Sequence, residues 1–119
     1  VANKVNCRAV GSRNCGCDLL EPTARQLTLF ATLHKQAPQY GHVPLAITKQ
    51  GYKLSKQNKA SAIETRKPQQ TLLQALNFLG QSPPQELLSS SVDNMMQWAI
   101  KHWSIDKVAR KTQIMLTNR

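Results

Sequence analysis

The chain has 119 residues, room for one domain, and carries sixteen Lys and Arg against six Asp and Glu, a formal charge of +10. So strong a surplus draws polyanions, and the absence of any apolar run of about 18 residues excludes a membrane-spanning helix. Aromatics are few, the hydrophobic fraction is 40%, and twelve Gln make the surface polar without making it acidic. The core therefore rests on Leu, Ile, Val, Ala and Met, a composition that leans toward helices.

Residues 1–20 read as an irregular, Cys-containing segment, in which Gly11, Ser12, Asn14 and Gly16 interrupt any period and only Val5 to Val10 suggests a short strand. The chain starts at Val1 without Met, so a processed or truncated start stays open. Cys7, Cys15 and Cys17 are odd in number and crowded together, a poor disulfide framework, which points to a reducing, intracellular (cytoplasmic) home. Their C-x-C and C-x7-C spacings suit zinc poorly, even with His34 or His42 as a fourth ligand, so no metal and no cofactor is expected. One disulfide from Cys7 and three free thiols are both open readings.

Residues 21–119 read as a single small helical domain. Pro22 opens a first helix whose stripe is Leu27, Phe30, Ala31 and His34, ending before Pro38. Leu45 and Ile47, then Tyr52 and Leu54, alternate with polar residues around Gly51, as a hairpin would. Pro68 opens a second helix with a face of Leu72, Leu73, Leu76 and Leu79, closed by Gly80. Val92 to Trp103 forms a third helix, N-capped by Ser91. A further helix is expected from Ser104, with Ile105, Val108, Ala109 and Thr112 on one side and Lys107, Arg110 and Lys111 on the other. The fold class expected is mainly α: a bundle of four or five helices, with or without one short β-hairpin around residues 45–54.

The run Ser104 to Ile114 resembles the first helix and turn of a helix-turn-helix, with Ala109 at the helix contact and Ile114 after the turn. It departs from that motif at Gln113, where glycine is usual, and the chain stops at Arg119 before a recognition helix is complete. The plainer alternative is one amphipathic helix with a solvated basic face.

Between residues 49 and 67 stand Lys49, Lys53, Lys56, Lys59, Arg66 and Lys67, with Glu64 the one acid. Ammonium and guanidinium charges interleaved with Gln, Asn and Ser suit phosphate oxygens, and Tyr52 suits base stacking. Lys107, Arg110 and Lys111 form a second basic group. Met95, Met96 and Trp98 make a soft apolar patch that reads as core or as a protein contact. There is no P-loop, no G-x-G-x-x-G and no paired carboxylates for acid–base work.

The function expected from these residues is a non-enzymatic nucleic-acid-binding protein, a ribonucleoprotein subunit or DNA-binding regulator, with RNA or DNA as partner, other protein subunits beside it and no membrane. The alternative is an adaptor that binds an acidic protein through its basic face and the Met/Trp patch. A small nuclease is disfavoured by the scatter of Asp, Glu and His.

Overall fold

The computed structural model describes residues 12–55 and 62–116. Strand β1 (Ser12–Gly16) leads through a single 3-10 turn (Cys17–Leu19) into helix α1 (Leu20–Thr32). Strand β2 (Gln39–Val43) returns parallel to β1, with Ser12 opposite Gln39 and Gly16 opposite Val43, so β1–α1–β2 is a crossover unit of the kind parallel strands require. Strand β3 (Leu45–Ile47) follows after one residue, the buried Pro44. Proline has no N–H to give to a ladder, and the extended run changes partners there. The far end of the chain supplies β4 (Gln113–Met115), parallel to β3, with Ala46 opposite Ile114.

Beyond β3 the chain turns back at Gly51, whose φ is +84°, and an antiparallel bridge joins Ile47 to Lys53. The Thr48 and Tyr52 backbones close this turn. Helix α2 (Pro68–Phe78) starts on proline at a position where the missing N–H has no helical partner. Helix α3 (Val92–His102) is capped by Ser91, whose hydroxyl accepts from the Asn94 N–H, with Asp93 in its first turn and Lys101 and His102 in its last, charges that suit the helix dipole.

The core sits between α2 and α3. The two helices are in contact and bury Leu73, Leu76, Met95 and Ala99, and Met95 is 0% exposed. Buried Gln81 ties the C-terminal end of α2 to the second residue after α3: its amide donates to the Leu79 and Ser104 carbonyls and accepts from the Ser104 N–H.

The expected bundle of four or five helices is not formed. Three α-helices are present among the described residues, accompanied by short parallel strands. The segment from Ser104 accounts for the difference. Its helical period is real, but only a 3-10 turn forms (Ile105–Lys107), and Val108 is already extended. The Ser104 N–H is taken by Gln81 and the Thr112 carbonyl by the Leu45 N–H, while Ile114 joins a ladder. Tertiary partners outbid the local period, and the resemblance to a helix-turn-helix has no structural counterpart. The N-terminal segment read as irregular contains β1; the suggested strand at Val5 to Val10 lies outside the described residues.

Candidate nucleic-acid interface

The basic residues occupy three places. Lys49 is exposed in the turn after β3, beside Tyr52, which is 62% exposed. The Lys53 ammonium pairs with the Asp18 carboxylate, which joins the hairpin to the 3-10 turn before α1. That hydrogen bond holds the Asp18 carboxyl below its ordinary value against the opposing effect of desolvation, and the charge of Lys53 adds to the lowering. Lys56 and Lys59 lie outside the described residues. Arg66 and Lys67 are exposed at the entrance to α2, where the Arg66 N–H donates to Glu64 Oε1 at 3.0 Å. The acid of this stretch is thereby turned onto its own backbone.

Lys107, Arg110 and Lys111 are exposed as well. Arg110 and Lys111 lead into β4 at the N-terminal end of the β3–β4 ladder, and Lys49 follows β3 at its C-terminal end. Lys49 and the Arg110–Lys111 pair thus stand at opposite ends of one ladder.

In the Met/Trp patch, Met95 is core, Met96 is exposed and Trp98 is half-buried. The Trp98 ring stacks on His102 with centroids 4.7 Å apart, and His102 Nδ1 lies 2.9 Å from the Trp98 carbonyl oxygen. The two rings share one face because they are four residues apart on α3.

Three polar links went unforeseen in the sequence. Asp18 is one. Thr23, buried on α1, donates to the Leu19 carbonyl and meets His42 Nε2 at 3.1 Å; the Tyr40 hydroxyl donates to Gln26 at 2.9 Å. The last two fix α1 over β2, and a strand reading of residues 39–43 would have exposed their alternation. Cys15 and Cys17 are free thiols, and Cys7 lies outside the described residues. Among the described residues no three His, Cys, Asp or Glu side chains converge as metal ligands, and no helix is long and apolar enough to cross a membrane.

No family model matches the chain. Curated relatives do match it closely. The chain is 58% identical over 104 residues to the glutamyl-Q tRNA(Asp) synthetase of Colwellia psychrerythraea, covering 83% of this chain and 33% of that protein. It is 44% identical over 102 residues to the protein of that name in Photobacterium profundum (86% and 33%), and 40% identical over 99 residues to that of Vibrio cholerae (83% and 33%). The chain therefore spans about a third of the length of these relatives. The expectation of a non-enzymatic binder or adaptor is overturned: the relatives carry the name of an enzyme, and the nucleic acid in that name is a tRNA rather than DNA. The physical reason for the miss is that charge reports a phosphate-bearing partner and carries no information about a reaction.

Proposed function

We propose that this chain is a portion of a tRNA-acting enzyme of the glutamyl-Q tRNA(Asp) synthetase kind, and that its exposed basic residues contact tRNA phosphates. The observation that carries the reading is the 58% identity over 104 residues with an enzyme of that name. Surface chemistry supports it: Lys49, Arg66 and Lys67 are exposed, Tyr52 offers a ring for stacking, and Lys107, Arg110 and Lys111 extend the basic surface to the other end of the β3–β4 ladder. Lys53 acts in this reading through the hairpin, whose base it ties to Asp18.

Binding of a tRNA(Asp) transcript, followed by fluorescence anisotropy at several salt concentrations, tests the contact. Affinity should fall steeply with salt, and changing Lys49, Arg66 and Lys67 together to Gln should flatten the log–log slope by about 2–3, nearly one per lost phosphate contact. An unchanged slope removes this surface from the interface. The enzyme reading has its own test. In the Colwellia psychrerythraea relative, the matched 104 residues are replaced by those of this chain. Incorporation of labelled glutamate into tRNA(Asp) should persist, and its loss in a folded chimera would contradict the assignment.

A further inference from the structure

The last turn of α3 carries a pair of rings that the core does not use. Trp98 and His102 are four residues apart, so they meet on one face of the helix. Their ring centroids are 4.7 Å apart and their planes differ by 19°, which makes a stack. Trp98 is half-buried and His102 is exposed, so His102 is the outer ring. That ring is also held in place. His102 Nδ1 lies 2.9 Å from the Trp98 carbonyl oxygen, and a carbonyl only accepts, so Nδ1 carries the proton of this bond. The bond and the ring behind it fix the plane of an exposed side chain before any ligand arrives, which lowers the ordering cost of binding. The surroundings are basic and aromatic. Lys101 precedes the outer ring, Trp103 follows it at 46% exposure, and Lys107 is exposed one short turn further on. Of the acids, Asp93 lies in the first turn of α3, at its other end, and Asp106 stands beside Lys107 in sequence.

We propose that the Trp98–His102 stack is a platform for one unpaired base of an RNA, which extends the stack on the outer face of His102. Lys101 then meets the phosphate beside that base. Unpaired bases are the part of an RNA that aromatic rings take up, whereas bases inside a duplex are already stacked on their neighbours. The site thus selects loops over stems. The basic residues around the β3–β4 ladder cannot make that distinction, because phosphates are common to both. The inference rests on the proposed reading of this chain as tRNA-contacting, and adds to it a site that reads strand state.

The test uses two RNA probes of equal length, a hairpin with an unpaired loop and a blunt duplex. Binding is followed by fluorescence anisotropy for the chain and for its His102→Ala and His102→Phe variants; Trp98 is left in place because it is half-buried. His102→Ala should weaken hairpin binding by about 5- to 150-fold, the range that the stacking of one base spans. It should leave duplex binding and the slope of log affinity against log salt unchanged, since no phosphate contact is lost. His102→Phe loses the same hydrogen bond but keeps a ring, and should restore hairpin affinity to within about threefold of the parent. Unchanged hairpin affinity in His102→Ala, an equal loss on both probes, or no rescue by His102→Phe would overturn the proposal and leave the phosphate contacts standing. So would sedimentation showing a dimer of the chain that His102→Ala dissolves, since a second copy would then cover the rings. No binding of either probe by the parent chain would overturn both readings.

Discussion

At the scale of single residues, the ends of α1 and α2 make a natural comparison. Both close with the same pair of backbone bonds. After α1, the Lys35 N–H reaches the Phe30 carbonyl and the His34 N–H reaches Ala31; after α2, the Gln81 N–H reaches Leu76 and the Gly80 N–H reaches Asn77. The motif needs one residue with positive φ, which is Gly80 (φ 74°) in one case and His34 (φ 51°) in the other. A Cβ in that region is strained by about 1–2 kcal/mol, partly offset by the greater freedom of an unfolded glycine. His34→Gly should therefore stabilise the chain by about 0.5–1 kcal/mol in denaturant titration. Gly80→Ala should destabilise it by more than about 2 kcal/mol, because its Cβ would lie 2.1 Å from the Lys107 carbonyl oxygen. The sequence shows the glycine stop plainly. It hides the histidine one, because His34 also fits the spacing of the Leu27, Phe30 and Ala31 stripe.

At the scale of elements, α2 was legible because proline, leucine spacing and glycine agreed, and it supplies Leu73 and Leu76 to the core. Leu76→Ala should lose about 2–5 kcal/mol, measured as a shift in the denaturant midpoint. The strands were far less legible. Leu45 and Ile47 mark β3 by their alternation, but β4 has only three residues, and the parallel pairing of the two joins distant segments. Of the candidate site, the described basic residues are exposed, and no local signal in the sequence tells that Lys53 meets Asp18. The carboxyl of Asp18 is lowered from 3.8 in the folded chain, so the tether is in place above that value and is lost as pH falls through the lower folded one. The Lys53 amide resonance should titrate with a midpoint below 3.8, and Asp18→Asn should abolish that titration.

At the scale of the whole molecule, the buried Leu, Met and Ala side chains of the described residues are confined to one half. Leu73, Leu76, Met95 and Ala99 belong to the α2–α3 pair, and α1 buries only Thr23. Opening free energies should follow that division, so hydrogen exchange in the isolated chain should be slowest around Leu76 and Met95 and fastest along α1. Composition pointed to a bundle of four or five helices that the described residues do not form, because residues that could have built it are drawn into strand pairs by partners far away in sequence.

The Leu45–Gln113 pairing carries a consequence in time. β3 is made before its partner strand, which comes only after the hairpin, α2 and α3 have followed. Closing so long a loop before any ladder bond rewards it makes this contact slow to form. During translation one side of β3 stays open until Gln113 has left the ribosome. By then α2 and α3 have had time to pack, and their docking, through Gln81 and Ser104, aims the returning chain at its target.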